Sequence, residues 1–107
     1  MVFSPRESEL LESSVFLIKN GRQSFYGSII QHNGLFVRFD PGCMTPTDEK
    51  SGQALELFQK KINEAEVAEV KWTKNRILII NNWRILHGRS MPLEPCSSRE
   101  LRRVLVL

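Results

Sequence analysis

The apolar residues of this chain change their spacing twice, and this change limits the folds that it can adopt. Before residue 47 and after residue 65 they come in short runs or alternate, which is typical of strands. Between Thr47 and Ala65 they recur at helical intervals, which predicts one amphipathic helix. The apolar positions of that helix are Ala54, Leu55, Phe58, Ile62 and Ala65. The chain is therefore expected to be mainly β with one principal helix.

The segment "SELLESSVFLIKN" begins as a short helical turn and passes into a predicted strand at Val15 to Ile18. Two further strands are predicted before the principal helix, in "QSFYGSIIQ" and "GLFVRF". "KNGR" and His32-Asn33-Gly34 are turn signals between them. A loop follows, in which Thr45 is a candidate N-cap and Pro46 the first helical residue.

Strand patterns resume after the helix. "VAEVKW" is followed by a tight turn at Thr73 to Asn75, and Ile77 to Asn82 then predicts a strand. The last predicted strand is Arg99 to Leu107. No internal repeat or low-complexity tract interrupts this order.

The size and composition favour a single globular domain over residues 1–107. With 41% hydrophobic and 25% charged residues, the chain fits neither a disordered nor a membrane protein. No apolar run reaches the ~20 residues that span a bilayer, and the amino-terminal residues lack the apolar core of a signal peptide. We therefore expect a cytoplasmic protein without membrane contact.

Charge and cysteine content give weak indications of partners. The net charge of +3 is spread along the chain, so nucleic acid is not indicated as a ligand. Cys43 and Cys96 lack the paired spacing of a zinc or redox motif, and we interpret them as ordinary thiols.

One of the two histidines follows the apolar segment 77–86. Because side chains alternate along a strand, His87 should share a face with Ile85 and Trp83 and point inward. A lone histidine at a strand end is usually structural, so this position alone does not predict a metal site.

The last predicted strand places arginines on an apolar face. Arg99 and Arg103 alternate there with leucines, whereas Arg102 lies on the other face and is expected to be exposed. An unpaired buried charge is costly, and the planar guanidinium suits a carboxylate. A buried anion is implied if that face belongs to the core.

The segment "WTKNRILIINNWRILHGRS" followed by "RELRRVLV" resembles the carboxyl-terminal end of the taurine dioxygenase-like (TauD-like) and clavaminate synthase-like oxygenases. "FVRFDPGCM" before an amphipathic helix is similar to the preceding part of that family, and the asparagine oxygenase branch looks nearest. The resemblance implies an iron(II)- and 2-oxoglutarate-dependent dioxygenase. It also implies half of a double-stranded β-helix, a jelly-roll, cupin-like fold.

The resemblance assigns expected roles to individual residues. Asn82 and His87 match the family's asparagine and its distal iron-binding histidine. By the same resemblance, Arg99 would clamp the far carboxylate of 2-oxoglutarate. Arg103 would lie near the keto-acid end or near a carboxylate of the substrate.

Two departures from the family pattern affect these expectations. Lys74-Asn75 stands in the turn where the family usually has Gly-Asp. More seriously, the proximal His-x-Asp or His-x-Glu pair is missing, because His32 has Gly34 two residues on. We therefore predict that this chain alone is inactive. If it proves active, His32 with Asp40 would be the first candidates for the other ligands.

Two classes of function remain open. The first is the carboxyl-terminal part of a dioxygenase that hydroxylates a small molecule, such as a free amino acid. The alternative is a catalytically silent binding or oligomerisation module derived from that fold. A basic β-rich domain that binds nucleic acid is a distant third. An incomplete jelly roll would expose sheet edges, so we expect self-association or pairing with a missing amino-terminal half.

Overall fold

The structure is a computed structural model, and it describes residues 1–88. The predicted strand at Arg99 to Leu107 lies outside these residues. The elements in chain order are helix α1 (Pro5–Ser13), strands β1 (Phe16–Asn20), β2 (Gln23–Gly27), β3 (Ile30–Gln31), β4 (Phe36–Val37) and β5 (Met44–Pro46), and helix α2 (Glu49–Glu64).

Strand β1 is the centre of an antiparallel sheet with the order β2-β1-β5, and β3 and β4 form a separate antiparallel pair. The buried side chains of Phe16 and Ile18 lie on one face of β1, as alternation requires. The predicted hairpin between β1 and β2 is confirmed. Its turn uses Gly21 at φ 62°, a conformation that glycine adopts without steric cost.

Helix α2 covers the core, and its central residue is Phe58. This ring is fully buried, with its centroid 4.8 Å from that of Phe39 and 6.0 Å from that of Phe3. Ala54, one turn earlier, is also fully buried, and its small side chain allows α2 to pack closely on the core. The amphipathic helix predicted from the apolar spacing is therefore confirmed.

The start of α2 differs from the prediction. Asp48 is the N-cap, with its carboxylate accepting from the Ser51 N–H at 2.8 Å, while the Ser51 hydroxyl accepts from the Asp48 N–H. Thr45 and Pro46 belong instead to β5, opposite Leu17 and Phe16. Pairing with the central strand outweighs the capping tendency of Thr45, so this prediction was wrong.

A second, shorter α-helix, α1, lies where the sequence predicts a short helical turn, and α2 is the longer helix of the described residues. Ser4 caps it through a reciprocal pair of hydrogen bonds with Glu7, and Pro5 occupies its first turn. Leu11 is fully buried, and Lys61 of α2 reaches Glu7 at 3.4 Å. The described part of the chain is therefore a mixture of helices and antiparallel strands, and it does not by itself form a jelly roll.

The strands predicted after α2 are absent from residues 66–88. The tight turn is confirmed, since Asn75 has φ 66° and the Arg76 N–H donates to the Thr73 carbonyl at 3.2 Å. However, Ile77 and Ile79 are 85% and 90% exposed, and Ile77 to Asn82 is not a strand. Apolar alternation predicts a strand only where a neighbouring strand is available, and the described residues supply none beside it.

No helix within residues 1–88 is long and apolar enough to cross a bilayer.

The cap of α2 predicts a pH-dependent stability. The hydrogen bond from the Ser51 N–H lowers the pKa of Asp48 below its ordinary 3.8. The ionised Asp48 carboxylate therefore stabilises the folded chain at neutral pH, and this effect is lost as the pH falls below about 3.8 and the carboxylate is protonated. Asp48→Ala should lower the thermal unfolding midpoint by several degrees at pH 7, with the difference narrowing in acid.

Glu56→Ala provides the control, because Glu56 is exposed in the middle of the same helix. It should leave the midpoint nearly unchanged. If the unfolding midpoint of Asp48→Ala lies below that of the wild type by the same amount at pH 7 and at pH 2.5, the role of the carboxylate is contradicted.

Candidate functional site

A turn at residues 81–85 precedes the candidate iron ligand. The Asn81 carbonyl accepts from the N–H groups of Arg84 and Ile85 at 3.1 and 3.0 Å. The Asn81 side-chain oxygen accepts from the Trp83 N–H at 3.1 Å. The chain therefore bends where the sequence predicts continuous strand.

Trp83 connects this turn to the β3-β4 hairpin. Its carbonyl accepts from the Val37 N–H at 2.7 Å. Its ring stacks on His32, with centroids 5.9 Å apart and planes 13° apart, and it meets the Phe36 ring edge to face at 5.3 Å. Leu86, three residues later, packs against the core. These contacts fix the segment on both sides of the turn.

His87 follows directly and is exposed, so the prediction that it points inward was wrong. Trp83 and Ile85, which were expected to share its buried face, are also exposed. The expectation assumed a straight strand, and the turn at residues 81–85 interrupts the alternation. The imidazole of His87 is thus accessible to a ligand that approaches from solvent.

His32 is also exposed, as predicted for a turn residue. It starts a single 3₁₀ turn, His32–Gly34, with φ 52°. Besides its contact with Trp83, His32 lines an open hollow of about 270 Å³, to which Glu12 also contributes. The sequence did not predict that this histidine would hold the segment that carries His87.

The described residues do not complete a dioxygenase iron site. Such a site uses two histidines and one carboxylate, leaving positions for the keto acid and oxygen. Residues 1–88 contain no group of three or more His, Cys, Asp or Glu side chains that could hold a metal ion. Asp40 lies beside Cys43, where its hydrogen bond and charge raise the pKa of the thiol.

Arg38 is a feature that sequence reasoning missed. Its guanidinium carbon lies 5.1 Å from the ring centroid of Phe25 and 4.8 Å from that of Phe36. Burial lowers the pKa of Arg38, and its Nη1 atom is buried without a hydrogen-bond partner among residues 1–88. Gly27 makes room for it, because a Cβ there would lie 2.6 Å from Nη1. One indication of this buried arginine was present in the sequence, namely a charged residue inside the apolar pattern "FVRF".

The three arginines of the predicted last strand, Arg99, Arg102 and Arg103, lie outside the described residues. Their roles and their accessibility therefore stay predictions.

Comparison with known proteins gives one match. The model of the family described as "Taurine catabolism dioxygenase TauD, TfdA family" matches residues 5–105. This range includes nearly the whole chain, and the chain belongs to that family. The resemblance inferred from the histidine and arginine motifs is thus confirmed at the level of the family. A search of curated proteins and a search of solved structures each gave no match.

The contacts of Trp83 lead to a testable prediction. Each aromatic pair contributes ~0.5–1.5 kcal/mol beyond the area it buries, so the loss of two pairs in Trp83→Ala should raise local opening roughly tenfold or more. Amide hydrogen exchange should show this at Val37, whose N–H bonds to the Trp83 carbonyl.

Trp72→Ala is the matched control, since Trp72 is similarly exposed but is not part of the group formed by His32, Phe36 and Trp83. It should leave the exchange of Val37 unchanged. Equal exchange at Val37 in wild type and in Trp83→Ala would show that the tryptophan does not hold this segment.

Proposed function

We propose that this chain provides the distal part of an iron(II)- and 2-oxoglutarate-dependent dioxygenase that hydroxylates a small molecule, such as a free amino acid. The match to the TauD, TfdA family over residues 5–105 carries the proposal, because that family suggests this type of chemistry. The two positions that match the family's motif, Asn82 and His87, lie on either side of the Trp83 contact.

In this proposal His87 is one iron ligand. Its exposed imidazole can present a nitrogen to a metal without displacing any buried contact. The bound metal and keto acid would supply the oxidising chemistry, and the protein would orient them. The proposed site also needs a second histidine and a carboxylate, and within residues 1–88 no group of three or more His, Cys, Asp or Glu side chains could hold a metal ion. We therefore assign no reaction step to the described residues.

Arg99 and Arg103 are proposed to bind carboxylates. A guanidinium presents two parallel N–H donors to a carboxylate, and this geometry suits the far end of 2-oxoglutarate. We assign Arg99 to that end. Arg103 would contact either the keto-acid end or a carboxylate of the substrate.

The proposal predicts that activity requires a second source of ligands. The purified chain with excess iron(II), ascorbate, 2-oxoglutarate and candidate amino acids should form no succinate above a no-protein control. Addition of a family protein segment that carries the His-x-acid pair should restore succinate formation. The restored activity should disappear in His87→Ala.

Each other outcome has a definite meaning. Succinate formation by the chain alone that depends on His87 would show that the chain contains its own remaining ligands, and His32 and Asp40 would be replaced first. Restored activity that persists in His87→Ala would remove His87 from the metal site. Failure of every supplemented sample would favour the silent binding module.

The arginine assignment has a separate test. Arg99→Lys replaces a two-bond fork by a point charge, and because charged hydrogen bonds contribute ~1.5–3 kcal/mol, affinity for 2-oxoglutarate should fall roughly tenfold or more. Calorimetry on the completed enzyme measures this, with Arg102→Lys as the control that should bind normally. Equal affinities for wild type and Arg99→Lys would refute the assignment.

A further inference from the structure

The chain contains two Asn-Gly dipeptides, Asn20-Gly21 and Asn33-Gly34, and each lies at a hairpin turn. Asparagine before glycine is chemically labile, because glycine has no Cβ to hinder the attack of its backbone nitrogen on the side-chain amide before it. The attack requires rotation about the Cα–C bond of the asparagine. The backbone contacts that resist this rotation therefore decide which of the two dipeptides reacts in the folded chain.

Asn20 is held by the ladder between β1 and β2. The Lys19 N–H donates to the Cys43 carbonyl at 2.9 Å, so the backbone of Lys19 faces β5 and that of its neighbour Asn20 faces β2. Asn20 lies opposite Gln23, and a pair of this kind exchanges two backbone hydrogen bonds. Rotation at Asn20 therefore opens the end of a ladder that spans the whole of both strands.

Asn33 lies in a turn with less support. Strands β3 and β4 have two residues each, and the loop between them is closed by the Leu35 N–H, which donates to the His32 carbonyl at 3.1 Å. His32, Asn33 and Gly34 have φ angles of 52°, 55° and 85°, a region that residues other than glycine seldom adopt. Rotation at Asn33 therefore breaks this turn hydrogen bond and releases backbone strain.

The amide of Asn33 is also open to water. Its side chain is exposed in the described part of the chain and lines the hollow of about 270 Å³ beside the turn. A Cβ built on Gly34 would meet nothing within 4 Å among residues 1–88 beyond its chain neighbours, so the attacking nitrogen has space around it. Both the attack and the later hydrolysis by water are therefore sterically possible.

We propose that Asn33 is a site of spontaneous deamidation in the folded chain, and that its isoaspartate product loosens the segment that carries His87. The Gly34 nitrogen attacks Cγ of Asn33, the Cγ–Nδ2 bond breaks, and Nδ2 leaves as ammonia with the Gly34 amide proton. Water then opens the succinimide ring. Cleavage between the nitrogen and Cγ gives aspartate, and cleavage between the nitrogen and the main-chain carbonyl carbon gives isoaspartate. Neither an oxidant nor a metal is required, so this chemistry is independent of the proposed dioxygenase function.

Isoaspartate at residue 33 lengthens the turn, because the main chain then runs through Cγ and gains one carbon atom. This atom is inserted between His32 and Phe36, whose rings both pack on Trp83, at centroid distances of 5.9 and 5.3 Å. The longer main chain changes the spacing of these two rings. The product also carries a new negative charge, which acts locally as in other charge-changing modifications. The contact that holds Trp83 should therefore weaken.

The first test compares the two dipeptides within one chain. The purified full chain is incubated at mildly alkaline pH, and peptide mass spectrometry follows the conversion of Asn33 and of Asn20 to aspartate and isoaspartate. Asn33 should react roughly tenfold faster or more, because Asn20 is held by additional ladder hydrogen bonds. In denaturing urea the two rates should become similar, since both sites are then Asn-Gly in an open chain. A native rate ratio equal to that in urea, or faster reaction at Asn20, overturns the proposal.

The second test separates the longer main chain from the added charge. The aged products are separated by chromatography, and amide hydrogen exchange is measured at Val37, whose N–H donates to the Trp83 carbonyl. The isoaspartate form should exchange roughly tenfold faster than the unaged chain. Asn33→Asp, which has the charge without the added carbon, should exchange as the wild type does.

Asn33→Gly is the control for ageing itself, because glycine adopts a φ angle of 55° without steric cost and has no amide to lose. After the same incubation its exchange at Val37 should be unchanged. Unchanged exchange in the isoaspartate form, or an equal increase in Asn33→Asp, overturns the claim that the longer turn loosens the segment that carries His87.

Discussion

The contact between Trp83 and the β3-β4 hairpin is the interaction on which the position of His87 depends. Residues 66–88 form no strand, so no ladder holds them to the sheets. They are held instead by one backbone hydrogen bond, in which the Val37 N–H donates to the Trp83 carbonyl. The packed rings of His32, Phe36 and Trp83 add to this contact. His87 is four residues beyond that contact and is open to solvent. Its imidazole is therefore available to a ligand.

The same hairpin is tied to the main sheet by Arg38, and this link has an energetic cost. A buried polar group without a hydrogen bond costs ~1–3 kcal/mol, and the Nη1 atom of Arg38 has no such partner within the described residues 1–88. Contacts of its guanidinium with two aromatic faces contribute ~0.5–2 kcal/mol each and can offset that cost. The sheet edge, the hairpin and the segment before His87 are therefore joined through Phe25, Arg38, Phe36 and Trp83.

Features that depend only on nearby residues were predicted well, whereas features that depend on a distant partner strand were not. The helical spacing around Phe58, the glycine turn at Gly21 and the turn at Asn75 depend on nearby residues, and the structure confirms them. The N-cap was misplaced because Thr45 is recruited into β5 by the central strand. The strand at Ile77 to Asn82 was wrong because pairing requires a neighbour that no local pattern reveals.

The candidate functional site was also predicted only in part. The family match supports the resemblance from which Asn82 and His87 were assigned, and their roles stay predictions. The alternation argument misjudged the exposure of His87. The roles of His32 and Arg38 arise from contacts between residues distant in sequence. No pattern in "QHNG" or "FVRF" predicts which aromatic ring packs against His32 or Arg38.

His87, Arg99 and Arg103 are proposed to belong to one metal and keto-acid site. Nuclear magnetic resonance of side-chain signals with added manganese(II) and 2-oxoglutarate tests it directly, because paramagnetic broadening falls steeply with distance and detects weak binding. The signals of His87, Arg99 and Arg103 should broaden together while those of His32 persist. Broadening of His32 with sharp signals from His87 would contradict it.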